Sequence, residues 1–217
     1  SGTVNITRRP VIAEWTDGGE ASKVQLNFPG ASPVTQLAWN AARSQLAIVH
    51  HKEMTFFYLS ATQFVELETY SGEGSIRSAE WVSGGEPVLI CLDEANNLVA
   101  YSTSLKTSKK VRCSEKMVVA KAGRFLDEVA SVGEASKNCL YVWNLTSSSS
   151  DSSYTLLNHS QPVRNFVWCC TSDNCVLVTA TSEELHLWSK CSQGSESCYI
   201  AQRQVDLSYR VGLLDSI

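Results

Sequence analysis

The feature that most constrains this chain is an internal repeat of about 43 residues. Four segments of 17 residues align without gaps, over 33–49, 75–91, 116–132 and 162–178. Each begins with a short alternating stretch, breaks at a polar or glycine-containing turn, and ends in a run rich in β-branched residues. This pattern predicts two strands joined by a hairpin, and its recurrence at a fixed period predicts an array of one structural unit.

A third strand that ends in an aromatic residue follows each copy. The aromatic residues are Trp15, Tyr58, Tyr101, Trp143 and Trp188, at intervals of 43, 43, 42 and 45 residues. A weaker fourth strand comes next each time, at 199–205 in the last copy, and four strands per 40–45 residues is the period of a β-propeller blade. We expect Tyr58, Tyr101, Trp143 and Trp188 to pack between blades. The Ser-rich stretch 147–153 accounts for the longest interval between copies and is predicted to be a solvated loop.

The end of each repeat resembles the WD40 family, whose signature closes in an apolar-x-apolar-Trp-Asp strand. Trp143-Asn144 and Trp188-Ser189 stand at that place. The resemblance covers nearly the whole chain. It implies an all-β, WD40-like β-propeller, a class of repeat protein that holds peptides and other domains on its rim and is rarely catalytic.

The sequence departs from the WD40 pattern at its polar positions. No copy has Asp after the Trp, the Gly-His pair before a blade is missing, and His159 alone lies near the place of its His. Lys137 and Ser182 occupy the position of the expected turn Asp. These departures argue against the hydrogen-bonded tetrad that pins standard WD40 blades, so the period and the strand pattern carry the fold prediction.

The strand count predicts about five four-stranded blades in a single domain over 1–217. We assign the blades to 3–28 with 208–214, 33–70, 75–113, 116–157 and 162–205. Ser208–Leu214 falls on the repeat as a first strand, so we expect it to pair near Thr3–Ile6 and close a five-blade ring. The alternative is part of a larger propeller, because any window of five periods gives the same count.

Composition excludes several classes of protein. A formal charge of −4, from 18 Lys and Arg against 22 Asp and Glu, argues against direct nucleic-acid binding. The sequence has no run of 18 apolar residues, which predicts no membrane span, and no visible signal peptide. The eight cysteines form no C-x-x-C pair and several lie in apolar runs, so we predict that all eight are unpaired. Unpaired cysteines indicate an intracellular protein, in the cytoplasm, the nucleus or both.

Motifs for catalysis are missing from the sequence. It has no Gly-rich phosphate loop and no nucleophile elbow, and the adjacent carboxylates at 127–128 and 183–184 point to opposite faces of a strand. His50 and His51 lie in the turn between strands two and three, which we expect to be exposed, and the sequence indicates no third metal ligand for them. We therefore predict no enzyme, no catalytic residue, no metal and no cofactor.

One set of residues points to a binding site. The third position of the repeat is Thr35, Arg77, Val118, Arg164 and Arg210, so three of five blades carry Arg at one equivalent place. We expect these side chains to gather at one end of the innermost strands and to bind an acidic or phosphorylated segment. The alternative is that each Arg caps its strand and pairs with a neighbouring carboxylate.

The sequence thus predicts a non-catalytic protein–protein interaction scaffold, a WD40-type subunit of an intracellular multiprotein complex. Its partners are other proteins, and the candidate binding residues are Arg77, Arg164, Arg210, Thr35, His50 and His51. Two other classes stay open. A propeller-fold hydrolase or lyase needs channel-facing carboxylates or histidines at equivalent repeat positions, and an extracellular receptor propeller needs disulfides.

Overall fold

The computed structural model describes residues 11–14, 22–25, 33–60, 63–82, 84–126, 128–146, 153–171, 174–193 and 196–206. Several predicted features lie outside these residues. They are the strand Thr3–Ile6, the aromatic Trp15, most of the Ser-rich stretch, Arg210 and the closing strand Ser208–Leu214.

The described residues form β-strands and one short 3-10 helix, Ala41–Arg43. A two-stranded sheet holds β1 (Val11–Glu14) and β2 (Ser22–Gln25). The first four-stranded sheet holds β3 (Gln36–Asn40), β4 (Gln45–His50), β5 (Glu53–Ser60) and β6 (Gln63–Ser71). The second holds β7 (Ile76–Trp81), β8 (Val88–Asp93), β9 (Asn97–Ser102) and β10 (Thr107–Arg112). The third holds β11 (Met117–Ala122), β12 (Val129–Gly133), β13 (Cys139–Asn144) and β14 (Ser153–Asn158), and the fourth holds β15 (Asn165–Cys170), β16 (Cys175–Ala180), β17 (Glu184–Gln193) and β18 (Glu196–Asp206).

Each four-stranded sheet is a meander in which consecutive strands are hydrogen-bonded neighbours. The polar turns seen in the sequence are the hairpin loops. In the first sheet, Trp39 pairs with Leu46 across a turn that closes through Ser44 in the left-handed region, at φ 51°. The predicted unit of four strands is therefore confirmed in four consecutive sheets.

The chain divides into two compact units, residues 1–76 and 77–217. In the first unit, Leu46, Ile48 and Phe57 form a buried apolar cluster with Phe64 packed against it. The prediction that Tyr58 is a core residue is wrong, because Tyr58 is 44% exposed. Phe57 pairs with the buried Leu46, whereas Tyr58 pairs with the polar Gln45, so the neighbouring aromatic fills the inward position.

The second unit is built by sheets that pack on one another. Trp143 belongs to a buried cluster that joins residues of the second sheet, such as Ile90 and Leu98, to residues of the third. Trp188 belongs to another, which joins Leu140 of the third sheet to side chains of the fourth. Tyr101 is buried as well. The prediction that the aromatic residue of each third strand is a core residue thus holds for Tyr101, Trp143 and Trp188.

Candidate functional site

A cavity of about 410 Å³ lies among the first strands of three consecutive sheets, β7, β11 and β15. Glu80, Lys121 and Val167 line it and share the sixth position of the repeat. The repeat therefore explains why side chains distant in sequence meet here. The complete lining is Glu80, Trp81, Lys121, Ala122, Gly123, Val167, Trp168 and Cys170.

Glu80 is the acidic group of this cavity. Its side chain is half-buried, and burial raises the pKa of its carboxyl to about 7. The positive charge of Lys121 and a hydrogen bond from the backbone of Ala122 act in the opposite direction but do not cancel the effect of burial. The cavity therefore changes its charge near neutral pH.

Lys121 is the basic group, and its neighbours hold it in place. Its Nζ donates a hydrogen bond to Asn165 Oδ1 at 3.4 Å and lies 5.5 Å from the ring centroid of Phe166. Trp168 donates its Nε1–H to the carbonyl oxygen of Lys121 at 3.2 Å. An ammonium group, a titrating carboxyl and two indole rings thus share one cavity, an arrangement suited to binding a polar side chain of a partner.

Cys170 lines the cavity and forms a disulfide with Cys175. Cys191 is also disulfide-bonded. The prediction that all eight cysteines are unpaired is therefore wrong, and only Cys91, Cys113, Cys139 and Cys169 are free among the described residues. The cysteines show no C-x-x-C framework in the sequence, but the β15–β16 hairpin sets Cys170 directly opposite Cys175.

The two described arginines of the predicted site differ in their surroundings. Arg77 is half-buried, and its Nη2 donates to the carbonyl oxygen of Asp93 at 3.0 Å. Its Nε is buried and has no hydrogen-bond acceptor among the described residues. Arg164 precedes β15 with an exposed side chain, and its backbone N–H bonds to Ala180. The convergence of Arg77, Arg164 and Arg210 stays a prediction.

The other three candidate residues lie in the first unit. His50 is buried, at 7% exposure, and its Nε2 lies 3.1 Å from Thr55 Oγ1, so the expectation of an exposed His50 is wrong. His51 is exposed, with φ at 54°, and its Nδ1 lies 2.8 Å from Ser75 Oγ. Thr35 is exposed and donates its hydroxyl to the carbonyl oxygen of Val49 at 3.2 Å.

A hydrogen-bonded group in the fourth sheet escaped the sequence analysis. Trp188 donates its Nε1–H to Thr179 Oγ1 at 3.0 Å, and His159 Nε2 lies 2.7 Å from the same oxygen. In the third sheet, Trp143 donates to Ser131 Oγ at 2.7 Å. The standard tetrad is incomplete here without its Asp, but a hydroxyl on the second strand still links the Trp to a His.

Many solved structures resemble this chain, including the three that follow, while no protein-family model and no curated protein matches it. The complex of BBS1N with ARL6DN matches at 11% identity and a TM-score of 0.61, over 87% of this chain and 59% of that one. Sqt1 of Saccharomyces cerevisiae matches at 11% identity and 0.56, over 74% and 46%. The mitotic checkpoint complex matches at 16% identity and 0.58, over 88% and 59%.

This chain spans about half the length of the chains that it matches. Sequence identities of 11–16% support a shared fold and nothing further. Together with the four meander sheets, the likenesses establish that the chain has an all-β fold of the WD40-like β-propeller type.

Proposed function

We propose that this chain is a non-catalytic protein–protein interaction module, a WD40-type subunit of an intracellular multiprotein complex. It holds a peptide or a domain of a partner on its rim. Its fold resembles chains found in complexes, namely BBS1N with ARL6DN and a chain of the mitotic checkpoint complex. Among the described residues, no helix has the length and apolarity needed to cross a membrane.

The observation that carries this proposal is the exposed side chain of Arg164. Its guanidinium makes no hydrogen bond or ion pair within the described ranges, and it precedes β15, one of the three strands that line the cavity. A guanidinium presents five donors in a planar fork that matches a carboxylate or a phosphate. The partner segment that suits it is acidic or phosphorylated. Arg77, Arg210 and Thr35, at the same repeat position, are further candidates, and so is the exposed His51.

The test compares charge reversal at two exposed arginines. Arg164→Glu changes the proposed site, and Arg112→Glu changes the last residue of β10, on the fourth strand of the second sheet. Proteins captured by the wild type are identified by mass spectrometry, and the association rate of the main partner is measured at two salt concentrations. We expect Arg164→Glu to slow association and to reduce its salt dependence, because a rim charge acts mainly on encounter.

The melting temperature is measured alongside, and both variants should keep it, since exposed substitutions usually change stability by no more than about 0.5 kcal/mol. Equal capture by wild type and Arg164→Glu would contradict the proposed site. Equal losses for the two variants would point to a general charge effect and would contradict it too.

A hydrolase or lyase is the second candidate, and Glu80 is the observation in its favour. A carboxyl with a pKa of about 7 in a cavity has the property expected of a general acid or base. Glycoside hydrolysis commonly uses a pair of carboxyl groups, however, and Glu80 is the only carboxyl among the residues that line this cavity. Incubation with ester, phosphate and glycoside substrates, comparing wild type with Glu80→Gln, separates the two candidates.

We propose an intracellular location on the likeness to Sqt1 and to a chain of the mitotic checkpoint complex. The Cys170–Cys175 disulfide removes the support expected from unpaired cysteines. Disulfides favour the alternative of an extracellular receptor propeller. Alkylation of thiols in intact cells, followed by mass spectrometry, decides between them. A reduced Cys170 and Cys175 in the cell would favour the intracellular protein, and a protected disulfide would favour the extracellular one.

A further inference from the structure

Three donor groups from two sheets come together beside the cavity. The sulfur atoms of Cys170 and Cys175 and a carboxylate oxygen of Glu128 lie within 4.8 Å of one another. Cys170 ends β15, Cys175 begins β16, and Glu128 directly precedes β12 of the neighbouring sheet. Glu128 and Cys175 are buried, while Cys170 is exposed, so the cluster is reachable from solvent on one side.

We propose that reduction of the Cys170–Cys175 disulfide creates a zinc site, in which the two thiolates and the Glu128 carboxylate bind one Zn²⁺ ion. Zinc accepts sulfur and carboxylate ligands in tetrahedral geometry, at about 2.3 Å and 2.0–2.2 Å. The ligand atoms of such a tetrahedron are about 3.5–3.8 Å apart, so the two sulfurs must move apart once their bond is reduced, while the carboxylate oxygen already lies within 4.8 Å of both. The C-x₄-C spacing is within the range found in zinc sites.

Glu128 is held as a preorganised ligand. Its Oε2 accepts backbone N–H bonds from Arg124 at 2.8 Å and Phe125 at 3.0 Å, which fix the orientation of the carboxylate. Its Oε1 makes no hydrogen bond within the described part of the chain. Partners of this kind, one step out from the ion, orient metal ligands and raise affinity.

The charges of the cluster also suit a dication. Two thiolates and one carboxylate carry three negative charges against the two positive charges of Zn²⁺. The guanidinium of Arg124 donates its Nη1 to the carbonyl oxygen of Thr171, the residue after Cys170, at 2.9 Å, and its positive charge offsets the remainder. Three protein ligands leave the fourth position of the tetrahedron to water, so the site is open rather than closed.

Reduction of the Cys170–Cys175 disulfide needs an external reductant, and a water-soluble phosphine serves as one. The phosphine takes the oxygen of one water molecule and becomes a phosphine oxide, while each sulfur gains one proton. Binding of Zn²⁺ then releases these two thiol protons, because the thiolate is the ligand. A phosphine is preferable to a dithiol reductant, which would itself compete for zinc.

The other cysteines either compete poorly for Zn²⁺ or can be tested by substitution with serine. Burial raises the pKa of Cys91 to about 12 and that of Cys113 to about 11, which keeps both as protonated thiols near neutral pH. The disulfide of Cys191 opens under the same reductant. Cys191→Ser is therefore a necessary control, and Cys139→Ser and Cys169→Ser are the controls for the half-buried and the exposed free thiol.

The experiment titrates Zn²⁺ into the full chain, oxidised and phosphine-reduced, with calorimetry and proton release as readouts. Near-ultraviolet circular dichroism checks that each sample is folded. Co²⁺ serves as a second probe, because its visible absorption reports tetrahedral thiolate ligation. We expect one Zn²⁺ per reduced chain, release of two protons, and no comparable binding by the oxidised chain.

Cys175→Ser and Glu128→Gln test the ligands. Loss of a residue that orients a metal ligand lowers metal affinity roughly 10–100-fold, so removal of a ligand itself should lower the Zn²⁺ affinity by at least as much. Cys191→Ser, Cys139→Ser and Cys169→Ser should bind Zn²⁺ as the wild type does. Three results would overturn the proposal: no binding by the reduced wild type, unchanged affinity in Cys175→Ser, or equal binding by the oxidised chain. Loss of binding in Cys191→Ser alone would assign the zinc to another pair and would overturn it as well.

Discussion

Single hydroxyl groups decide how the Trp residues of the third strands are held. Thr179 Oγ1 contacts both Trp188 Nε1 and His159 Nε2, and the threonine is fully buried. A buried donor that loses its acceptor bears the full cost of desolvation. His159 lies near the position of the WD40 His in the sequence. Thr179 belongs to no sequence motif, and its role as the shared hydrogen-bond partner depends on the pairing of the strands.

Replacement of Thr179 by Val should therefore destabilise the second unit. The methyl group fills the same space but leaves the Trp188 and His159 ring nitrogens without their partner, at a cost of about 1–3 kcal/mol in the free energy of unfolding. Thr179→Ser keeps the oxygen and should lose clearly less. Urea denaturation of the three proteins measures the difference, and equal stability of Val and Ser variants would show that the hydroxyl is unimportant.

Glu80 should make stability depend on pH. Its pKa is raised by burial from 4.5 to about 7, so the folded state binds its proton more tightly than the unfolded state does. The stabilising contribution of the protonated carboxyl is complete below pH 4.5 and is lost as the pH rises through about 7. Glu80→Gln should remove this part of the decline in unfolding free energy between pH 5 and pH 8. Parallel profiles for wild type and variant, measured by urea denaturation, would contradict the assignment.

The strands and hairpins follow from local sequence, but their side-chain contacts do not. Alternation, turn residues and period predicted four strands per unit, and the four sheets have them. The fourth strand of the last sheet, expected at 199–205, begins earlier, at Glu196, because β17 and β18 continue their pairing to Gln193 and Glu196. The apolar residues predict a strand that begins at Tyr199, whereas the backbone hydrogen bonds extend the strand through the polar residues before it.

The loop between β12 and β13 offers a test at the scale of single elements. Glu115 Oε2 accepts N–H bonds from Ala135 and Ser136, and Tyr141 donates its hydroxyl to Oε1 at 2.6 Å. A Cβ atom at Gly133 would overlap this carboxylate. Gly133→Ala should therefore expel the Glu115 side chain and destabilise the hairpin of β12 and β13, by about 1–3 kcal/mol.

The control for Gly133→Ala is the same change in a Glu115→Ala background. The obstructing carboxylate is then absent, so the additional loss on adding the methyl group should be small, and the double-mutant cycle should give a clear coupling energy. A full, additive loss in both backgrounds, measured by thermal or urea unfolding, would mean that the backbone at Gly133 and not the carboxylate opposes the methyl group.

At the scale of the whole molecule, the repeat determines which residues meet between sheets. Glu80, Lys121 and Val167 are 41 and 46 residues apart in sequence and line one cavity because they share a repeat position. The third position shows this logic in the sequence, where the arginines recur, but the sixth does not, because Glu80, Lys121 and Val167 differ in type. Cys170 and Glu128 show no link in the sequence, because packing of the third sheet on the fourth brings them together.

Packing between sheets also supplies the stability of the second unit, and Trp143 tests this. Trp143 is 1% exposed and lies in the cluster that joins the second and third sheets. Trp143→Ala should cost about 3–5 kcal/mol, since it removes a large buried ring and its hydrogen bond to Ser131. Trp39→Ala is the matched control. Trp39 is 47% exposed and packs edge-on against Phe64, so this variant should lose much less unfolding free energy.

Urea denaturation with a probe in each sheet measures both variants, and for Trp143→Ala we expect a single transition that is shifted in all probes of the second unit. Similar losses for the two variants would contradict the assignment of Trp143 as the residue that couples the sheets.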